Sequence, residues 1–261
     1  MKMAIEHKKH FFVEASVLDT DYDYIKEALK GINIVAAPSA TMVFHPAIKE
    51  IKNLIKAGEL GKISNIIFHS GQYLPDWHTY EKVSDFYVSN PATGGAREIV
   101  PFELTWLTHI FGFPKRVCAN VRKTIDIEEA EKIDDTYNIL FDYENFMATL
   151  TVDVVSRFAT RRLLINGDKK QLVWDWNHNN IQLYDPSMRK WKQIEYGMMR
   201  AEDGYNPNIG ENMYIDEIKA FIDAIQRKES FPNTIENDHN VLKMLYTIEE
   251  SQKNWTFMNV I

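Results

Sequence analysis

From Pro114 to Tyr196 one pattern recurs: short segments in which apolar and polar residues alternate, broken by turn residues. "KRVCANVRK", "DDTYNILFDY", "FMATLTVDVVS", "RRLLING", "QLVWDW", "NIQLYD" and "RKWKQIEY" each read as a strand. Tyr143-Glu144-Asn145 and Gly167-Asp168-Lys169 read as hairpin turns between several of them. A period of two sends successive side chains to opposite faces. A chain written this way builds a large, mostly antiparallel sheet with one face covered by helices.

What precedes the run is of another kind. "HFFVEAS" reads as a strand, "DTDYDYIKEALKG" as a helix opened by acids and closed by Gly31, and "INIVAAPS" as a buried-type strand. Two short strands around one helix are half of a βαβ layer and are not stable alone. "HPAIKEIKNLIKAGELGKI" carries Ile48, Ile51, Leu54 and Ile55 at helical spacing and ends at Gly58 and Gly61. "ISNIIFHSGQYL" follows as a long strand, and after it an irregular aromatic stretch. The chain closes with two amphipathic helices. "ENMYIDEIKAFIDAI" places Met213, Ile215, Ile218, Phe221, Ile222 and Ile225 mostly on one side, and "NDHNVLKMLYTIEESQ" is the second. The expected class is α/β plus α+β: a remnant of a parallel sheet over residues 1–40, then a large open sheet with helices over residues 41–261.

Composition removes several functions. The 261 residues carry a formal net charge of -7 without long runs of one sign. That argues against nucleic acid, whose phosphates need a basic stripe. No apolar run approaches the roughly 18 residues that span a bilayer, and "MKMAIEHKKHFFVEAS" is no secretory signal, so neither a membrane nor export is expected. A single cysteine, Cys118, excludes an internal disulfide framework and reads as a buried strand thiol in a reducing cytoplasm. The eight histidines lack helical i, i+4 pairing, so no metal is expected. His45 and His109 read as packing or capping residues.

The segment "GGAREIVPFELTW" interrupts this ordinary picture. If a helix starts at Pro101, where a missing N–H costs nothing, Glu103 shares a face with Leu107 and Ile110, flanked by Trp106. A carboxyl that loses water on folding is disfavoured as an ion unless a cation or donors compensate. Two roles follow. It is a general acid or base with a raised pKa, or it is one half of an ion pair with Arg97, Arg157, Arg161 or Arg162. Nearby, "GQYLPDWHTY" gathers Tyr73, Asp76, Trp77, His78 and Tyr80, a mixture suited to lining a sugar or to covering a core edge.

Taken in order, "HFFVEAS", "HPAIKEIKNLIKAGELGKI", the Gly94-Gly95 turn and "YIDEIKAFIDAI" resemble the Gfo/Idh/MocA oxidoreductases, the glucose–fructose oxidoreductase and inositol dehydrogenase group. The resemblance implies a Rossmann domain joined to an α/β domain with a large open sheet. It implies hydride transfer between NAD or NADP and a sugar, cyclitol or nucleotide-sugar, and homodimers or homotetramers paired through that sheet. The family's G-x-G-x-x-G lies upstream of the "FVE" strand, and none of the 11 glycines here forms it. Most of the Rossmann domain is therefore expected to be missing, and this chain alone is expected to bind the cofactor weakly or not at all. Where the family has Glu-Lys-Pro at the cofactor, this chain has Glu14, Ala15 and Ser16. Its aspartate, glycine and catalytic histidine fall on Ile99, Pro101 and Glu103, with Glu98 one residue before the aspartate.

The resemblance thus implies a site with Glu103 and Glu98 in acid–base roles, Arg97, Tyr73, Trp77 and His78 toward a sugar-type substrate, and Glu14, Ala15 and Ser16 toward NAD or NADP. The rival reading is a non-catalytic sugar-binding or homo-oligomerisation module. The apolar residues on both faces of "FMATLTVDVVS", with Phe146, Ala148, Leu150, Val152 and Val154 on one and Met147 and Val155 on the other, are compatible with pairing through the sheet.

Overall fold

The structure, a computed structural model, describes residues 1–15, 17–77, 80–197 and 210–260. After a short helix α1 (Lys2–Glu6) come β1 (Phe11–Val13), α2 (Tyr22–Leu29) and β2 (Ala36–Pro38). β1 and β2 pair in parallel, Phe11 opposite Ala36 and Val13 opposite Pro38. Both strands are shorter than the apolar runs that announced them. At Pro38 the backbone has no N–H to continue a ladder. The pair packs instead through side chains: the Phe12 ring lies 5.9 Å from that of Phe221 and 6.2 Å from that of Phe231.

The large sheet contains nine strands among the described residues, in the order β10-β9-β8-β7-β3-β6-β5-β4-β11. They are β3 (Ile63–Tyr73), β4 (Arg116–Arg122), β5 (Thr136–Asp142), β6 (Met147–Asp153), β7 (Val155–Gly167), β8 (Gln171–Asp175), β9 (Asn180–Asp185), β10 (Lys190–Glu195) and β11 (Met258–Asn259). β3 runs parallel to β6 on one side and antiparallel to β7 on the other. The sequence reads "FMATLTVDVVS" as one strand, but the chain changes sides at Val154. There the Val154 N–H donates to the Asp135 carbonyl, and the Val154 carbonyl accepts from the Leu74 N–H. β7 therefore starts earlier than "RRLLING" and spans 13 residues.

Alternation decides what each face presents. On β3, Ile66, Phe68 and Ser70 are buried, whereas Ile67 points outward. α4 (Ala96–Phe111) packs against β5 and β6 and α6 (Ile235–Asn254) against β4, covering the inner face; α3 (Pro46–Lys56) packs on β9. The outer face leaves Ile67, Leu140, Met147 and Phe158 exposed. Cys118 is half-buried rather than buried as expected. Val117 and Ala119 take the inward positions of β4, so the thiol belongs to the open side.

The helix α5 (Glu211–Ile225) corrects a second expectation. Its buried residues are Met213, Glu217 and Ala224, while Ile215, Ile218 and Ile222 stay exposed. The physical reason is Glu217. Its carboxylate accepts from the Ala40 N–H at 2.5 Å, the Thr41 hydroxyl at 2.8 Å and the Ser39 hydroxyl at 3.2 Å. Binding the start of the 3-10 turn Thr41–Phe44 sets the rotation of α5, and the isoleucines follow.

α2 is pinned to α6 by a similar contact: the Tyr22 hydroxyl donates to the buried Asp238. Burial pushes the Asp238 carboxyl up to about 6, against the Tyr22 bond, which pulls it down. A carboxyl whose folded pKa exceeds its unfolded value stabilises the fold below the unfolded value and loses that contribution as pH rises through the folded one. Asp238 should thus withdraw up to about 3 kcal/mol of stability between about pH 4 and 6. Asp238→Asn is expected to flatten that part of the profile. Urea melts from pH 4 to 7 check it, and parallel slopes for the two proteins would reject this account.

Candidate functional site

The helix α4 starts at Ala96, five residues before the Pro101 start expected from sequence. Gly94 and Gly95 make the earlier start possible. Gly95 has φ +65°, and a Cβ on Gly94 would come within 1.9 Å of the Val88 carbonyl oxygen. The Ala96 N–H donates to the Asp134 carbonyl, which anchors the first turn. Pro101 then lies inside the helix and removes its bond to the Arg97 carbonyl. The surroundings hold the helix despite this, since Ile99, Val100, Leu104, Trp106 and Leu107 are all buried.

Glu103 has no exposed surface. Its Oε1 accepts from Ser70 Oγ at 2.7 Å and from Arg161 Nε at 2.7 Å, and its Oε2 accepts from Trp106 Nε1 at 2.6 Å. Ser70 on β3 and Arg161 on β7 are directly paired across the strands, so the register delivers both donors to one carboxylate. Of the candidate cations, the partner is Arg161. Its guanidinium also lies 4.4 Å from the Trp176 ring centre and 5.6 Å from that of Phe102.

Arg97 is also buried and also engaged. Its Nε donates to Glu249 Oε1 at 2.6 Å, and its Nη1 donates to the carbonyls of Val17 and Ala92, both at 2.7 Å. One guanidinium thus ties α6, the loop after β1 and the loop before α4 together. Neither Arg97 nor Glu103 lines the neighbouring cavity.

That cavity, about 530 Å³, is bounded by Glu14, Ala15, Val17, Gln72, Trp77, Tyr87, Glu98, Ile99, Pro101, Phe102 and Arg161. It sits where the chain leaves β1, beside the first turns of α4. The Tyr87 hydroxyl donates to Glu98 Oε1. Burial, then the Glu98 carboxylate, pushes the Tyr87 phenol well above its ordinary range, so it remains a donor at neutral pH. Trp77 Nε1 is buried without a hydrogen-bond partner among the described residues. Glu14 Oε1 turns back to accept from the Ala15 N–H at 3.1 Å.

The structure thus brings Glu14, Ala15, Trp77 and Glu98 together on the cavity wall and leaves Tyr73 apart from them. Tyr73 faces a different groove, with the Arg157 guanidinium 3.6 Å above its ring. His78 and Ser16 lie outside the described residues. Gln72 and Phe102 were not anticipated. Phe102 is adjacent to Glu103 and could have been read from the helix pattern.

His45 caps α3, its Nδ1 accepting from the Ala47 N–H at 3.1 Å. Burial, followed by the charges of Arg161 and Lys49, pushes it down to about 3, so it is neutral. His109 lies 2.5 Å from Lys52 Nζ, and burial, then that lysine, holds its pKa below the ordinary histidine value. Among the described residues no group of three His, Cys, Asp or Glu is placed to hold a metal ion. No described helix is long and apolar enough to cross a membrane.

A small parallel βα unit beside a broad mixed sheet backed by helices is the arrangement found in NAD-binding oxidoreductases. Levoglucosan dehydrogenase in complex with NADH superposes with a TM-score of 0.83 at 17% identity, over 100% of this chain and 76% of that one. An NAD-binding oxidoreductase from Klebsiella pneumoniae gives 0.82 at 15%, over 100% and 76%. An oxidoreductase from Agrobacterium radiobacter in complex with NAD+, L-tartaric acid and magnesium gives 0.83 at 12%, over 99% and 75%. At such identities the likeness is one of fold. Residues 48–173 match the family model described as the GFO/IDH/MocA C-terminal domain. No curated protein matches the sequence significantly.

If Glu103 is the anchor of this site, removing it leaves Arg161 buried without its anion and Ser70 and Trp106 without their acceptor. Breaking a buried pair from one side costs about 3–5 kcal/mol. Glu103→Ala is expected to lose that much in urea unfolding. A loss below about 1 kcal/mol, the range of an ordinary surface change, would show that the pair carries no such weight.

Proposed function

We propose that this chain forms the substrate side of an NAD- or NADP-dependent oxidoreductase acting on a sugar or cyclitol hydroxyl. The observation that carries the reading is the cavity itself. Carboxylates that accept hydroxyl protons (Glu14, Glu98), a phenol held as donor (Tyr87) and apolar ring surfaces (Trp77, Phe102) converge in a space of about 530 Å³, ample for a sugar ring. The family-model match over residues 48–173 supports it, as do fold relatives named for levoglucosan and crystallised with NADH and levoglucosan, or with NADH and L-sorbose.

In this reading Glu98 takes the proton of the hydroxyl being oxidised, and the Tyr87 hydroxyl orients the carboxylate. Ala15 stands where the family resemblance places a lysine and offers neither charge nor donor. Glu103 holds Arg161 in place from behind the cavity wall; it is a positioning residue with no contact to the reacting atoms.

The dinucleotide fits these residues only in part. Glu14 and Ala15 border the cavity and can meet the nicotinamide end, but the start of α2 presents Asp19, Asp21 and Asp23, which oppose a diphosphate. Gly94 and Gly95 are packed on Val88, Ile133 and Asp134. The described residues hold no open glycine turn that would cradle a pyrophosphate.

Binding tests the reading directly. Calorimetry with levoglucosan, L-sorbose and a cyclitol is expected to find at least one millimolar-or-tighter ligand, and Glu98→Ala is expected to weaken it about tenfold, the value of one lost hydrogen bond to a charged group. No binding of any of the three, or binding indifferent to Glu98, rejects the site.

A homo-oligomer through the sheet is the second reading, favoured by the exposure of Ile67, Leu140, Met147 and Phe158 on the open face. Met147→Asp is expected to convert a dimer or tetramer to monomer in sedimentation velocity; an unchanged oligomer, or a monomer before substitution, rejects it.

A further inference from the structure

The geometry points to a more specific ligand for this cavity, and the inference rests on the sugar-site reading above: it takes a polyhydroxylated carboxylate, a sugar acid, whose anionic group is bound by the Nη edge of Arg161.

Arg161 is the cation among the described residues that line the cavity. Its side chain is only 12% exposed. Nε is committed to Glu103, and the guanidinium plane is set by Trp176 and Phe102. Among the described residues the two Nη nitrogens donate no hydrogen bond. They form the outer fork of a guanidinium whose orientation is already fixed. That fork matches the two oxygens of a planar carboxylate and makes two parallel charge-assisted bonds with it, where a lone hydroxyl makes one neutral bond.

Two carboxylates, Glu14 and Glu98, share the wall with Arg161. Glu14 is exposed, where water and salt screen it. Glu98 already accepts from Tyr87. Glu103 faces Arg161 from the buried side and occupies Nε alone. The positive field of Arg161 reaches beyond that pair: it helps to depress His45 and opposes the upward shift of Tyr214. A ligand with its carboxylate on the Nη fork and its hydroxyls toward Glu98, Glu14 and Gln72 satisfies each polar group with its complement. A neutral sugar leaves the fork with half its bonds.

D-glucuronate and D-glucose share one ring and differ by a carboxylate in place of a hydroxymethyl group. Calorimetry on the unaltered chain at low salt is expected to show glucuronate binding at least tenfold more tightly, about 1.4 kcal/mol, with the gap narrowing as salt rises. Arg161→Lys keeps the charge but loses the fork, and Arg161→Gln loses both. Both affinities should fall in each variant, that of glucuronate by at least tenfold more, with thermal melts confirming that the variants fold. The comparison of the two ligands on the unaltered chain stands even where a variant does not fold. Equal affinities, or tighter glucose, overturn the inference while leaving the sugar site intact. A glucuronate preference that survives both substitutions overturns the assignment to Arg161. Binding of neither ligand at millimolar concentration overturns the inference and the sugar-site reading together.

Discussion

A carboxylate without access to water holds the centre of this molecule. Glu103 receives donors from β3, from β7 and from its own helix, and each of these has few alternatives once buried. An isolated carboxylate would carry a desolvation cost of several kcal/mol in such a place. With three donors, one of them a cation, the cost is offset, and the rotation of α4 becomes fixed. That rotation places Glu98, Ile99, Pro101 and Phe102 along the cavity wall and leaves Glu103 behind it. Position in sequence and position in space thus separate: the residue that the resemblance sets at an acid–base position is not among those lining the cavity.

The same device recurs wherever the amino-terminal βα unit meets the rest. Glu217 on α5 holds the backbone at Ala40, Asp238 on α6 holds Tyr22, and Glu249 on α6 holds Arg97, which in turn holds the Val17 carbonyl. Apolar packing joins these parts, since Ile5, Tyr22 and Ile25 belong to one continuous core with Leu242 and Leu245. Such packing is tolerant of small rotations. Directional bonds are not, and they decide which face of α5 turns inward even at the expense of exposing Ile215, Ile218 and Ile222.

Much of the fold was legible because strand alternation is a local signal. The segments at β4, β5, β8, β9 and β10 and the turns at Tyr143 and Gly167 appear where the periodicity put them. The crossing at Val154 was not legible: nothing in "FMATLTVDVVS" marks a change of partner, and the bonds that direct it come from Leu74 and Asp135, which are distant in sequence. The early start of α4 was hidden because a proline ordinarily marks a first turn and here lies inside the helix. Glu98 and Trp77, candidates read from residue type and order, both line the cavity. Gln72 was missed, since its place on the wall depends on the tertiary path alone.

The double allegiance of β3 has a consequence for how the chain is made. This strand, the middle of the sheet, is complete at Tyr73, yet the two neighbours that flank it begin at Met147 and Val155. During synthesis it must wait, with both edges bare, while more than a quarter of the protein is added. Assembly therefore closes around an early strand by late arrivals, a high-contact-order route that is slow and exposes unpaired backbone to self-association. The polar residues interspersed on its outer side, Asn65 and His69, keep that interval from being an uninterrupted apolar edge.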